Sequence, residues 1–581
     1  LDGGIDWLCL PRFDSGSVFA ALLDRERGGT WAIRPDVPWI SHQRYLPRTN
    51  VLETGFNTGD GQLVVTDFMA VGENGRPLGQ QPELHRLVRC VRGRVPARVI
   101  FMPRFAYASR STRIEVLRAG LIATDRTDQV VTLASPEPFD WNIESGAATT
   151  TVMLAKGESR WFVMRYDDDD VHAADADACL QKLESTEAYW QRWSAGVRYN
   201  GPYRTMVKRS ALALKLMTHA ETGAIIAAPT TSLPETLGGS RNWDYRFVWL
   251  RDAAFTLEAL ANVGHYREAD AFMRFLKRVC RHEVGGHLQI MYGIDGRRDL
   301  TELQLEHLRG YHGSSPVRVG NGAVNQLQLD VYGEVMDTAD RWRRHHEMTD
   351  GTWRALRPLV DWVSVNWYRP DSSIWEVRGE ARHYVFSKVM SWVALDRGIA
   401  MAEELGLPGD AVAWRESRER LYQEIMTRGW SEAKQSFTQS YDDEALDAAL
   451  LAVPMVRFLA WDHPRVASTI HAIQRELTSA DGELVYRYRS PDGLEGEEGA
   501  FSICTFWLAQ ALAGIGQHER GERIFRRMMG HANHVGLYSE EIDAMNGGFL
   551  GNFPQALTHI ALINCAAALA RAGRRSEKAK R

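Results

Sequence analysis

The chain has 581 residues, longer than a single hydrophobic core usually grows, so two domains of unequal size are expected. Hydrophobic residues make up 44% and charged residues 25%, which excludes disordered and fibrous classes, and a net charge of −5 leaves no electrostatic footprint for nucleic acid. The six cysteines show no metal-ligand spacing and no run of eighteen apolar residues is present, so the composition reads as a reduced, cytoplasmic protein with no membrane span.

The chain opens Leu1-Asp2-Gly3-Gly4 without a Met, and its N-terminus is expected to be incomplete. From there to about residue 185 the pattern is one of short β-branched or aromatic runs, Leu63-Val64-Val65-Thr66, Val99-Ile100-Phe101-Met102, Val130-Val131-Thr132-Leu133 and Trp161-Phe162-Val163-Met164. Gly, Pro, Asp and Asn separate them, at the spacing of an antiparallel β-sandwich. After Ser185 the period becomes helical, with a linker helix over 186–203. Twelve longer helices follow: 204–221, 251–263, 266–282, 323–340, 352–367, 382–405, 409–427, 444–458, 464–477, 500–515, 518–530 and 554–571. Twelve helices, alternately inner and outer, suit an (α/α)6 barrel over 204–573, with a basic tail at 574–581. The fold class is therefore multidomain, an antiparallel β-sandwich followed by an all-α barrel. The Arg-rich run Arg341-Trp342-Arg343-Arg344 reads as a solvated helix face. Loops at 227–250, 283–322, 368–381, 480–499 and 531–553 exceed ordinary connections, and loops of that length are usually functional.

Three of these loops carry chemistry. Ile374-Trp375-Glu376-Val377 and Tyr538-Ser539-Glu540-Glu541 each set a glutamate among aromatic and small residues, and two facing carboxyls are the minimum for hydrolysing a glycosidic bond. The stretch Arg241-Asn242-Trp243-Asp244-Tyr245-Arg246-Phe247-Val248-Trp249-Leu250-Arg251-Asp252 places aromatic faces beside Asp and Arg, the groups that stack on a sugar and read its hydroxyls. Each has a plainer reading. Glu376 could simply sit at a helix start, stabilised by the dipole; Asp252 could cap a helix; Asp244 could pair with Arg241 or Arg246. Glu497 and Glu498 read first as stabilisers of a helix end, with a role beside Arg487 left open, and His312 and His383 as structural or sugar-contacting.

The run from Arg241 to Asp252, together with Gly551-Asn552-Phe553-Pro554-Gln555-Ala556 and the opening Gly4-Ile5-Asp6-Trp7-Leu8-Cys9-Leu10-Pro11, resembles glycoside hydrolase family 15, the inverting glucoamylase and trehalase family. The resemblance covers nearly the whole chain, and that family's β-sandwich and (α/α)6 barrel agree with the pattern above. It implies that Glu376 is the general acid and Glu540 the general base, with Glu541 as the alternative base. It also implies that Arg251 and Asp252 hold the non-reducing glucose with Trp249 stacking nearby, and that Trp375, beside the acid, and Arg487 and Tyr488 help to bind sugar. A general acid must hold its proton near neutral pH, which an apolar neighbour such as Trp375 favours; a base must stay ionised in a wetter setting, where Tyr538 and Ser539 could be donors. The implied activity is exo-acting release of β-glucose from a small saccharide. Trehalose is the preferred substrate, maltose-type or isomaltose-type oligosaccharides the runner-up, and a disaccharide phosphorylase or a binding protein without catalysis more remote. The partner is a small saccharide, with no nucleic acid and no membrane. No cofactor or metal is required by pattern, and phosphate or Mg2+ dependence and homo-oligomerisation are left open.

Overall fold

The computed structural model describes residues 1–78, 81–127, 129–281 and 284–580, the side chains of Val284 and of 575–580 excepted. Two units are built from this chain: Leu1–Gly196 with Leu305–Val317, and Val197–Gln304 with Arg318–Arg581.

In the first unit the 20-residue strand Glu83–Met102 organises an antiparallel sheet domain. Its first half is flanked by Gly61–Met69 and Ser159–Tyr166 and its second half by Thr30–Pro35 and Ala147–Ala155. The change of partners falls at Gly93, where φ is +67° and a bulge interrupts the register between Gln62 and Leu63. A side chain there would collide with the Asp60 carbonyl, so glycine makes the bend possible. Alternate residues of both strand groups, among them Trp31, Ile33, Val65, Val99, Leu133 and Phe162, meet in one buried cluster. The runs expected as strands at 63–66, 99–102, 130–133 and 161–164 all lie in strands.

A helix also belongs to this unit. Expected at 186–203, it spans Ala176–Ala195 instead, because the Asp175 side chain accepts the Asp177 and Ala178 N–H groups and starts it earlier. Cys179 and Leu183 on its inner face pack with Val51, Phe68 and Trp161 of the sheet.

The second unit contains eleven α-helices among the described residues. Leu250–Asn262 packs against Asp330–Trp342, which packs against Val385–Leu405. From there contacts pass through the short 3₁₀ turn Ala448–Ala452 to Ser502–Gly514, on to Ala556–Lys580, and back to Leu250–Asn262. Arg204–Leu216, Arg267–Arg281, Asp350–Asn366, Ala411–Arg428, Pro464–Glu476 and His518–Met529 each lie against members of that set. Burial follows the same division: Ser502–Gly514 is apolar on nearly every side and almost wholly buried, whereas Ala411–Arg428 buries only Trp414, Leu421 and Ile425.

Two expected helices differ in extent by many residues. The one placed at 444–458 is reduced to Ala448–Ala452, because Pro454 has no N–H to continue the ladder and Asp447 turns its carboxylate to the Trp375 indole. The one placed at 323–340 begins at Asp330, since Gln326 is drawn off to the Glu376 and Val377 carbonyls and the Leu329 N–H to Asp371. The helix expected at 266–282 is present as Arg267–Arg281, and its expected last residue, 282, lies outside the described residues, as does the start of the following loop at 283. The last helix runs from Ala556 through the expected basic tail to Lys580; Arg581 lies outside the described residues.

Residues Ala556–Arg574 have the length and hydropathy of a membrane span, but 67% of that stretch is buried, packed against Leu250–Asn262 and Ser502–Gly514 as a core helix. The arginine-rich run is partly solvated, and each of its arginines is paired: Arg341 with Glu258 and Asp337, Arg343 with Asp340 and Glu404, and Arg344 with Asp340.

Candidate active site

A pocket in the second unit opens where several helices begin. Arg251 and Asp252 lie in the first turn of Leu250–Asn262, Phe501 directly precedes Ser502–Gly514, and Gln555 and Leu557 flank the start of Ala556–Lys580. The positive ends of the helix dipoles therefore face a space lined with carboxylates. All eight residues singled out from the sequence line it: Trp249, Arg251, Asp252, Trp375, Glu376, Arg487, Tyr488 and Glu540.

Glu376 does not sit at a helix start. It occupies a tight turn, closed by Val377 N–H to the Ser372 carbonyl at 2.9 Å, well before the helix Val385–Leu405. Its own φ is +61° and that of Ser373 is +66°, conformations that cost an ordinary residue energy and that cluster at functional sites. The Trp249 indole N–H donates to Glu376 Oε1 at 2.6 Å, and Arg251 Nη1 lies 3.5 Å from the same oxygen. Oε2 has no protein partner among the described residues. Trp375, expected as the apolar neighbour of the acid, gives its own N–H to Asp447 at 2.8 Å, and the indole N–H that bonds Glu376 is that of Trp249.

Arg251 also donates to the Ile374 carbonyl at 2.5 Å and pairs with Asp252 at 3.0 Å. Asp252 is 1% exposed and is not the cap of its helix, since Trp249 holds that position. Burial pushes the Asp252 carboxyl up, and Arg251 opposes the shift.

Glu540 overturns the expected wet setting, for it is 2% exposed. Tyr538 and Ser539 do not serve it: the Tyr538 hydroxyl reaches the Met529 carbonyl and the Ser539 hydroxyl the Glu541 carbonyl. The groups that favour its charged form are instead the Tyr245 hydroxyl and the Asn552 N–H. Burial lifts its carboxyl to about 7, against the opposing pull of Tyr245 and Arg487. Gly551, at φ +72°, lies so close that a Cβ there would fall 2.4 Å from Glu540 Oε2, and only glycine lets the backbone approach this near.

The neighbouring Glu541 points elsewhere. Glu541–Ile542 is a short strand between Ala500–Phe501 and Phe549–Leu550, and Glu541 Oε2 accepts the Gly499 N–H at 2.8 Å. Successive side chains of a strand face opposite sides, so Glu540 lines the pocket and Glu541 does not.

Arg487 is held by Glu498, with Nε donating to Oε2 at 2.6 Å and Nη2 bonding Oε1, and its guanidinium lies over Phe501 and Tyr488. Glu498, expected at a helix end, thus braces the sugar-binding candidate together with Arg241, which binds both Glu498 and Asp492. The Tyr488 hydroxyl donates to Asp492 at 2.9 Å, and the loop bearing these groups is fastened from several sides.

Sequence reasoning passed over Glu235, which lines the pocket at 1% exposure, with Oε2 3.6 Å from Arg487 Nη2 and burial pushing its carboxyl well up. It stands in Leu233-Pro234-Glu235-Thr236 with no motif to mark it. Tyr245 had a signal, its place in the aromatic loop, but its partner is distant in sequence. His312 lies in the segment 305–317 of the first unit, edge-to-face with Tyr311, and His383 stacks on Tyr441; neither lines the pocket.

Asp244 follows its plainer reading. It is fully buried and bound by Arg246 through Nε at 2.8 Å and Nη2 at 2.6 Å. Arg246→Leu strands that carboxylate and is expected to lower the unfolding free energy by about 3–5 kcal/mol, read from denaturant unfolding.

A family model described as Glycosyl hydrolases family 15 matches residues 201–522 and 517–567, and one described as Trehalase-like, N-terminal, matches residues 1–190. A trehalase from Mycolicibacterium smegmatis is 40% identical over 599 residues, covering 98% of this chain and 88% of its own length. A trehalase from Thermoplasma acidophilum is 37% identical over 570 residues, covering 97% of both. Among solved structures, a bacterial glucoamylase complexed with acarbose matches 98% of this chain and 91% of its own, with a TM-score of 0.75 at 14% identity, a likeness of fold. With a family model spanning the helical unit and relatives of this identity along its whole length, the chain belongs to glycosyl hydrolase family 15.

Proposed function

We propose that this protein is a trehalase, hydrolysing α,α-trehalose to two glucose molecules with inversion at the carbon attacked. The carrying observation is that two glutamates from distant segments, Glu376 and Glu540, line one pocket. Glu376 protonates the glycosidic oxygen as it departs, and Glu540 takes a proton from the attacking water. A base lifted to about 7 suits that task, because a proton acceptor works best with a pKa near the working pH. Arg251 and Asp252 hold the terminal glucose beside Trp249, with Arg487 and Tyr488 on the opposite loop and Trp375 in the wall. The full-length identity to proteins named trehalase supports trehalose over longer glucans.

Two finer readings of the fold belong to the proposal. The closed succession of helix contacts supports an (α/α)6 barrel in which Ala448–Ala452 stands in for the twelfth helix, and the shared core of the two strand groups supports a β-sandwich. A cytoplasmic setting rests on the six cysteines, which are all free thiols.

The test is to incubate the protein with trehalose, maltose, isomaltose and soluble starch, with and without phosphate, and to follow the products by NMR. Inversion at one anomeric centre of trehalose gives one β-glucose and one α-glucose, so the two anomers should appear in equal amounts before mutarotation. Two α-glucose molecules would mean retention, glucose from starch alone would mean a glucoamylase, and phosphate-dependent glucose phosphate would mean a phosphorylase.

A further inference from the structure

Arg378 stands two residues after Glu376 and lines the same pocket. The other two arginines there have committed their donors: Arg251 to Ile374 and Asp252, Arg487 to Glu498. The Arg378 guanidinium makes no hydrogen bond among the described residues. It lies 4.8 Å from the ring centre of Trp243, also a pocket residue, and its one ion pair is a long one, Nη2 to Glu302 Oε2 at 3.9 Å. Trp243 carries a second guanidinium, that of Arg318 at 4.6 Å, and Arg318 in turn reaches Glu302 Oε1 at 3.3 Å. The Arg378 main chain is fixed by its N–H to the Asp492 carbonyl at 3.1 Å. The stem is therefore anchored and the guanidinium seated on an aromatic ring, while its fork of up to five N–H donors is unspent.

Position gives those donors a target. A general acid stands beside the oxygen joining two sugars, so the turn that carries Glu376 borders both of them. Arg251 reaches from Glu376 back to the Ile374 carbonyl, among the residues given to the terminal glucose, whereas Arg378 comes two residues after Glu376 and its guanidinium lies over Trp243. We infer that Arg378, seated on Trp243, binds the hydroxyls of the departing glucose and so selects a glucosyl leaving group. This rests on the two-carboxyl reading of the pocket.

The experiment compares trehalose with α-glucosyl fluoride, which presents the same first glucose and no second sugar. In Arg378→Ala, kcat/KM for trehalose should fall about ten- to a hundredfold, mostly through KM, while that for α-glucosyl fluoride should change by less than about twofold. Arg378→Lys should recover part of the loss, because it restores the charge without the planar fork. Equal losses on both substrates would overturn the inference, since Arg378 would then act through the Glu376 turn; an unchanged rate on trehalose would overturn it too. Activity on the fluoride reports that the variant is folded. The wild type is assayed first, and if it cleaves maltose rather than trehalose, the same ratio is taken with maltose, so that failure of the substrate assignment and failure of the Arg378 role are told apart.

Discussion

In Glu376→Gln, release of glucose from trehalose should fall by about a hundred- to ten-thousandfold, the usual contribution of a placed proton donor. The amide has the shape of the carboxylate and its oxygen can still accept the Trp249 N–H, so the strained turn at Ser373 and Glu376 has no reason to relax and the fold should persist. What the amide cannot do is hand a proton to the departing oxygen. A substrate whose leaving group needs little help should therefore escape much of the loss, and α-glucosyl fluoride is such a substrate. Glucose release measured on both compounds checks this. Wild-type turnover of trehalose in the variant would remove Glu376 from the mechanism.

Glu540→Gln should be as damaging and should spare neither substrate, because both need an activated water. Added azide can attack without a base, and a partial return of activity with β-glucosyl azide as product would locate the defect in the water step. The wild type should carry a matching pH signature. Burial raises the Glu540 carboxyl from the ordinary 4.5 to about 7, and a base acts only when ionised. The acidic limb of kcat/KM should thus lie near 7, with activity falling about tenfold per pH unit below it. An acidic limb near 4.5 would show that no carboxyl raised by burial, neither Glu540 nor Glu235, sets the ionisation required of the base.

The parts of the site legible in the sequence were those whose chemistry travels with a short segment. Trp249, Arg251 and Asp252 run together into the first turn of one helix, and their helical spacing brings them to the pocket as a group. The surroundings of Glu540 were not legible. Tyr538 and Ser539 adjoin it in the chain but turn to the Met529 and Glu541 carbonyls, while Tyr245, which favours its charged form, comes from another loop. The partner of the Trp375 indole N–H, Asp447, was not legible either, a contact no local pattern announces. In the fold, helices with a clear apolar stripe such as Arg267–Arg281 could be placed within a few residues, because periodicity reports the buried face directly. The stretch around Ala448–Ala452 carried a similar stripe but ran into Pro454, and a missing N–H overrides periodicity.

The first unit is not contiguous in the chain: residues 305–317 complete it after a long excursion into the helical unit. Within it the Arg309 N–H is held by Asp24 and the Arg309 side chain by Glu26, while His307 meets the Tyr107 carbonyl. On the ribosome, then, the sheet domain cannot be finished when its own strands have emerged. At rates of about 5–20 residues per second it waits on the order of ten seconds for the returning segment, and meanwhile the Asp24 and Glu26 carboxylates lack their Arg309 partner. Cutting the gene after residue 196 to express the sheet domain alone would make that unfinished state permanent.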